Sequence, residues 1–312
     1  MKKGLTQICL GRASRIPDAL QLCREIGYQG LEILLTESGE LTMTSGPSDY
    51  EAIRRMSEAA GVELTSICGA GDLSDNDPAV RDAYKAQIRK MLEAAEALGL
   101  DTVLVTGGRT NEKVPYDVAF ERQLAALQEL APEAERRRVN IGLENIWNKL
   151  LISPLEFRDF LDRIGSEYVG CYFDTGNVLL YGYPEQWIRI LGKRIKKIHF
   201  KDFRIDHNER RYEWSQLMQG QVDWPAVMRE IRVIGYDDYV ITEVCGDRSV
   251  YEETCRIMDT ILALPCQQYG SASSARVTSP RHTFTACAKL RRRRLSPFAT
   301  SMNLAPRLRP IR

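Results

Sequence analysis

The sequence predicts a (β/α)8 barrel followed by a basic tail, and three observations carry that expectation. Short apolar, β-branched runs alternate with amphipathic segments of helical period, eight times over, between residues 1 and 264. Each unit takes about 33 residues, in keeping with the roughly 250 residues of such barrels. The first strand ends in LGRAS, without the glycine-rich phosphate turn that would mark the rival architecture, a doubly wound open sheet.

The strand candidates, in order, are LTQICL from Leu5, GLEILL from Gly30, VELTSIC from Val62 and TVLVTGG from Thr102. They continue with VNIGLEN from Val139, VGCYFD from Val169, IKKIHFKD from Ile195 and DYVITEV from Asp238. Among the intervening helices, residues 79–98 place Tyr84, Ile88, Met91, Leu92 and Ala95 on one face. Residues 153–164 open with Ser-Pro and then Glu156, a helix start with an acid in its first turn. Residues 225–234 follow Asp223, an N-cap residue type, and stop at Gly235.

With 44% hydrophobic and 27% charged residues over 312 positions, the chain is ordinary for a water-soluble protein with a large core. No apolar run approaches the roughly 18 residues of a membrane span, so no membrane partner is expected. The start, MKKGLTQICLGR, is too short and mixed for a signal peptide. Eight cysteines without a CxxC pair read as buried free thiols of a cytoplasmic protein rather than as a disulfide framework. Charge is unevenly spread. Residues 265–312 hold ten Lys and Arg and no acid, which leaves the other 33 basic residues facing all 42 acidic ones, a net of −9. That tail, rich in Ser, Ala, Arg and Pro and without a period, reads as disordered. Its Arg291, Arg292, Arg293 and Arg294 run is either an arm for nucleic acid or acidic membrane or an extension without function. The second reading is favoured, because nothing aromatic or helical organises the charges.

The stretch CYFDTGNVLLYGYP, from Cys171, carries an apolar strand into Asp-Thr-Gly-Asn. Taken alone, that is the chemistry of a turn. Other strands, however, end in the same way. Strand five ends in Glu144, strand six in Asp174, strand seven in His199 and strand eight in Glu243. Strand side chains alternate between faces. Val139, Ile141 and Leu143 share one face, and so do Val169, Cys171 and Phe173, Ile198 and Phe200, and Val240 and Val244. The four polar residues take the opposite, lumen-facing parity and converge at the C-terminal mouth, where barrel enzymes keep their chemistry. Three carboxylates around one imidazole would repel one another as bare charges, and a divalent cation resolves this. An oxygen-rich set with one nitrogen suits Mn²⁺ foremost, with Mg²⁺ or Co²⁺ as alternatives. Singly, each of these residues would be a solvated carboxylate or a packed histidine; four on one parity argue for a site.

LEN at Leu143, YFDTGN at Tyr172, HFKD at His199 and TEV at Thr242 together closely resemble the xylose isomerase-like barrel superfamily. The best match is its sugar and sugar-phosphate isomerase/epimerase branch, to which L-ribulose-5-phosphate 3-epimerase and D-tagatose 3-epimerase belong. The resemblance spans residues 1–264 and is strongest over 139–244. It implies that Glu144, Asp174, His199 and Glu243 ligate the metal. It also implies that Glu144 and Glu243 form an acid/base pair on opposite faces of a bound ketose or ketose phosphate, acting through an enediolate. Many relatives carry a histidine where this chain has Asn177, which donates and accepts hydrogen bonds but cannot become cationic. The phosphopentose branch resembles this GN form, which tilts the expectation towards phosphorylated substrates. Lys201 and Arg204 either hold a phosphate or sugar hydroxyl or belong to a solvated loop. Trp147 either stacks on a sugar face or closes the rim, and Glu32, on lumen parity in strand two, is a further pocket candidate.

Two rivals stand beside this reading. A non-catalytic sugar-binding barrel is compatible with the fold, although four intact ligand positions argue against it. A metal-dependent endonuclease of the same superfamily would need many histidines for a three-zinc centre, and this chain has three, His199, His207 and His282. The acidic barrel would also repel a DNA backbone, so no nucleic-acid partner is expected. The sugar, epimerisation against aldose–ketose isomerisation, and whether the barrel forms a homo-oligomer stay open at this stage.

Overall fold

Eight parallel strands close on themselves in a computed structural model of the chain, which describes residues 1–11, 14–206 and 211–265. The barrel strands are β1 (Lys2–Thr6), β2 (Gly30–Leu34), β3 (Glu63–Gly69), β4 (Thr102–Val105), β5 (Asn140–Glu144), β6 (Val169–Asp174) and β7 (Ile195–Phe200). A two-stranded antiparallel hairpin follows, β8 (Asp202–Asp206) and β9 (Arg211–Ser215), before the last barrel strand, β10 (Tyr239–Thr242). Around the barrel the order is β1-β10-β7-β6-β5-β4-β3-β2. Eight helices surround it: α1 (Ile16–Ile26), α2 (Pro47–Ala60), α3 (Pro78–Leu98), α4 (Tyr116–Arg137), α5 (Pro154–Ile164), α6 (Pro184–Leu191), α7 (Trp224–Val233) and α8 (Arg248–Leu262).

The alternation read from the sequence is the alternation in the barrel. Val139, Ile141, Leu143, Val169, Cys171, Phe173, Ile198, Phe200, Val240 and Val244 all belong to the main core between strands and helices. A second, smaller cluster of Leu34, Cys68, Leu104, Tyr172, Tyr239 and Ile241 fills the lumen. Fully burying each such side chain contributes about 1.5–3 kcal/mol, so the lumen is a packed plug and not a pore. Below it, the buried Lys197 ammonium is matched by Asp101 at 3.0 Å and by Asp238. The lumen is therefore open to chemistry only at its C-terminal end. On α3, Tyr84, Ile88, Met91, Leu92 and Ala95 are buried as expected, and Asp223 caps α7 by accepting from the Ala226 N–H at 3.0 Å.

Three expectations need correction. LTQICL is not a strand throughout, because β1 ends at Thr6 and residues 7–10 form a 3₁₀ turn. The Thr6 hydroxyl accepts from the Ile8 N–H, which bends the chain out of the ladder. The residues after His199 are not a plain loop but the β8–β9 hairpin. All six cysteines among the described residues are free, and Cys23, Cys68, Cys171 and Cys255 are buried, but Cys245 is exposed and Cys9 half-buried. Both lie just past strand ends, Cys9 still packed against the edge of the core. The basic tail expected at 265–312, with its arginine run, lies outside the described residues from 266 onward, as do His207 and His282. Among the described residues no helix is long and apolar enough to cross a membrane.

Candidate metal centre at the barrel mouth

Glu144, Asp174 and His199 are the last or near-last residues of β5, β6 and β7, and Glu243 directly follows β10. One ligand atom from each of the four lies within 4.8 Å of every other, and the first three residues are buried. In the barrel order, β5 and β10 flank β6 and β7, so the two glutamates enter from opposite sides with Asp174 and His199 between them.

Local chemistry fixes each group. The Asp-Thr-Gly-Asn turn ties β6 to β7. Asp174 Oδ1 accepts from the Gly176 N–H at 2.8 Å and the Asn177 N–H at 2.7 Å. The Thr175 hydroxyl donates to the Lys201 carbonyl at 2.7 Å and accepts from the Lys201 N–H at 3.0 Å. Gly176 sits where a Cβ would come within 3.0 Å of the Lys201 backbone, so the turn tolerates little else there. Asn145 clamps the neighbouring strand end, donating to the Asp174 carbonyl at 2.9 Å and accepting from the Asp174 N–H at 2.8 Å.

Two buried atoms in this cluster have no hydrogen-bond partner: Asp174 Oδ2 and His199 Nδ1. Nδ1 lies 3.5 Å from Glu144 and 3.3 Å from Glu243, out of alignment for a hydrogen bond. Orphaned buried polar atoms are costly unless a further partner is provided for. An oxygen and a nitrogen lone pair beside two more carboxylates fit a hard or borderline divalent cation.

The electrostatics carry the strain of bringing these groups together. Burial pushes the Asp174 carboxyl up to about 7, with Lys201 opposing and the two glutamates adding to the rise. Burial, with the Glu243 charge, also raises Glu144. Burial opposes the charge of Glu243 as well, but His199 and Lys201 outweigh it and hold that carboxyl down at about 2. His199 is pulled down by burial yet ends well above its ordinary value, because Glu32 first and then Glu144 and Glu243 favour its charged form.

The remaining candidates divide. Lys201 sits 3.0 Å from Glu243 Oε1, with its ammonium 4.1 Å over the Trp214 ring. Trp147 is half-exposed, donates its indole N–H to the Asn177 carbonyl at 2.8 Å and stacks on Trp214 at 4.7 Å, with Phe203 edge-on to both. The hairpin thus closes one side of the mouth with an aromatic wall. Arg204 is not brought to the cluster. Phe203 pairs with Trp214 across the hairpin, so Arg204 takes the other hairpin face, where it meets Glu213 at 3.7 Å and donates to the Gln219 carbonyl. Glu32 is fully buried beneath the cluster with both oxygens occupied by protein donors, which removes it from the residues a substrate could touch.

Sequence reasoning missed Asn145, Tyr172 and Asp202, although each stands inside a quoted motif. Asp202 is buried and accepts from the N–H groups of Phe203, Gly220 and Val222 and from the Trp224 indole. It anchors the hairpin to the start of α7. At Gly220 a Cβ would lie 2.0 Å from that carboxylate, so the anchor requires glycine.

A family model described as xylose isomerase-like TIM barrel matches residues 20–261. The chain is similar to 2-epi-5-epi-valiolone 7-phosphate 2-epimerase of Actinoplanes sp., 24% identical over 189 residues, 59% of this chain and 67% of that protein. It is also similar to 3-oxo-isoapionate decarboxylase of Pectobacterium atrosepticum, 28% identical over 233 residues, 64% of this chain and 82% of that protein. In three dimensions it resembles D-psicose 3-epimerase, crystallised in the presence of D-fructose, with a TM-score of 0.69 at 18% identity, covering 84% of this chain and 99% of that one. With its closed parallel barrel and most of its length matched, this chain belongs to the xylose isomerase-like TIM barrel family.

Proposed function

We propose that the chain is a divalent-metal-dependent isomerase or epimerase of ketoses or ketose phosphates, acting by proton transfer through Glu144 and Glu243. The observation that carries this reading is the four-residue cluster with its two orphaned atoms, Asp174 Oδ2 and His199 Nδ1, at the only end of the lumen that is not plugged. Glu144, Asp174, His199 and Glu243 would hold the cation, Mn²⁺ foremost. A cation there would polarise a substrate carbonyl and stabilise the negative charge of an enediolate.

The chain's own groups do the rest. Glu243, on the β10 side of the cluster and paired with Lys201, is placed to take the proton beside the carbonyl. Glu144, entering from the other side, returns a proton to the opposite face and so inverts the carbon. Return to the neighbouring carbon instead would exchange aldose and ketose. Trp147, held by the Asn177 carbonyl, borders the approach, and the Trp147–Trp214–Phe203 wall limits water on that side. Lys201 is committed to Glu243 and Arg204 to Glu213, so neither is a ready phosphate ligand, and the substrate screen has to include unphosphorylated ketoses. The related epimerases named above support the isomerase class.

The test is a screen of ketoses and ketose phosphates with Mn²⁺ in heavy water, alongside the metal content of the purified protein. Retained divalent metal and solvent deuterium on a substrate carbon are expected. A well-folded protein that binds no divalent metal and exchanges no substrate proton would overturn the reading.

A further inference from the structure

Beneath the cluster lies a fully buried carboxylate that the proton-transfer chemistry does not use. Glu32, on β2, is on the far side of His199 from the other three carboxylates. Its Oε1 lies 3.1 Å from His199 Nε2 and accepts the Thr6 hydroxyl at 2.7 Å. Its Oε2 accepts the Ser66 hydroxyl at 2.9 Å and the Tyr172 hydroxyl at 2.5 Å. Four donors from four strands therefore converge on two oxygens, and the carboxylate cannot turn without breaking several bonds. Tyr172 also packs edge-on to the His199 ring, at 4.7 Å between centroids. The imidazole is thus held on two sides: by a hydrogen bond at Nε2 and by an aromatic ring against its edge.

From this geometry we infer that Glu32 is a positioning residue, which keeps the Nε2 proton of His199 engaged and so presents Nδ1 as a free lone pair to the cation site. The inference rests on reading His199 as a metal ligand. A neutral imidazole has one N–H and one lone pair, and the partner of the N–H decides which nitrogen is left to coordinate. Here a carboxylate that already takes three hydroxyl donors faces Nε2, while Nδ1 is the orphaned atom. A histidine ligand that lost this partner would keep its nitrogen but lose its fixed orientation and part of its basicity. Such losses typically weaken metal affinity by about 10–100-fold. Parity alone put Glu32 in the lumen; its four donors come from residues 6, 66, 172 and 199, which no local pattern joins.

The experiment uses chelator-stripped full-length protein titrated with Mn²⁺ alone by calorimetry, with circular dichroism as the check on folding. Glu32→Gln should bind Mn²⁺ about 10–100-fold more weakly than wild type. A second readout separates positioning from general support. In ¹⁵N-histidine-labelled protein saturated with Zn²⁺, the wild type should show a slowly exchanging His199 Nε2–H, readily assigned because the chain has three histidines. That signal should be lost, or exchange rapidly, in Glu32→Gln. A folded Glu32→Gln protein with wild-type Mn²⁺ affinity and an unchanged Nε2–H signal overturns the inference and leaves the metal reading standing. A wild type that binds neither metal overturns both. Should Glu32→Gln fail to fold, Tyr172→Phe carries the test, since it removes one donor from Glu32 and keeps the ring. At least a three-fold loss of Mn²⁺ affinity in Tyr172→Phe supports the inference, and none overturns it.

Discussion

Replacing Asp174 by asparagine should make the protein more stable in chelator and at the same time unresponsive to Mn²⁺. Asparagine is nearly isosteric and can keep the Oδ1 bonds from Gly176 and Asn177, at 2.8 and 2.7 Å, so the turn survives. What changes is the second atom: the orphaned Oδ2 becomes an NH₂ that can donate to a neighbouring glutamate. The size of the effect follows from the carboxyl's raised pKa of about 7, against an ordinary 3.8. That displacement corresponds to about 4 kcal/mol. The sign is set by linkage. The native carboxyl keeps its proton up to about 7, whereas the unfolded one loses it near 4, so wild type loses up to about 4 kcal/mol as pH rises from 4 to 8. The asparagine variant has no such loss. In EDTA the two melting curves should therefore converge near pH 4 and separate by about 8 °C or more at pH 8, at roughly 2 °C per kcal/mol. Adding Mn²⁺ at a hundred times its dissociation constant should return about 2.7 kcal/mol to wild type and nothing to the variant. The same titration makes Mn²⁺ binding to wild type weaken as pH falls below about 7. An Asp174→Asn protein that is less stable than wild type in EDTA at pH 8, or that Mn²⁺ stabilises equally, would refute the reasoning.

His199→Ala removes the only nitrogen ligand of the cluster and should abolish tight Mn²⁺ binding in a folded barrel, checked by metal analysis beside circular dichroism. Glu243→Gln should retain much of its metal and lose turnover by several powers of ten, with solvent-deuterium incorporation falling in step; near-normal turnover at full metal occupancy would sink the two-glutamate mechanism. A chain ending after Leu264 keeps every barrel strand and α8, and should match the full chain in melting temperature and turnover. Loss of activity on that truncation would make the tail part of the working enzyme.

The barrel itself was legible because its determinants are local and periodic. Strands five to eight each bring one polar residue to the mouth after an alternating run, and Val139, Ile141 and Leu143 against Glu144 already separate the helix-facing side from the lumen. The helix starts were legible for the same reason, with Asp223 capping α7 as its residue type suggests. β1 failed where Thr6 used its hydroxyl to end the strand, a competition between side chain and ladder that apolar content does not report. The β8–β9 hairpin failed more completely. Its residues, DFRID and RYEWS, alternate well enough, but what holds the hairpin in place is Asp202, reaching Gly220, Val222 and Trp224, eighteen to twenty-two positions further along.

That hairpin decides what the site residues around it can do. HFKD reads as one stretch, yet its four side chains are divided among four tasks by strand parity and by the turn of the chain after Phe200. His199 enters the cluster, Phe200 packs on Trp224 in the outer core, Lys201 meets Glu243, and Asp202 anchors the hairpin. Only the first task is visible from spacing. Lys201 illustrates why. In a solvated loop it would be free to bind an anion, but with Trp214 laid across it and Glu243 at 3.0 Å its charge is spent inside the cluster. Three carboxylates, a divalent cation and this ammonium would sum to zero, so Lys201 would balance a site that a metal alone would leave with one negative charge in excess. The buried Glu32 stands outside that balance, against the nitrogen of His199 that faces away from the other three carboxylates. A neutral ligand set above a buried carboxylate would hold a metal without making it a permanent trap for anions. That arrangement suits an enzyme whose substrate must gain negative charge only on the way to its transition state.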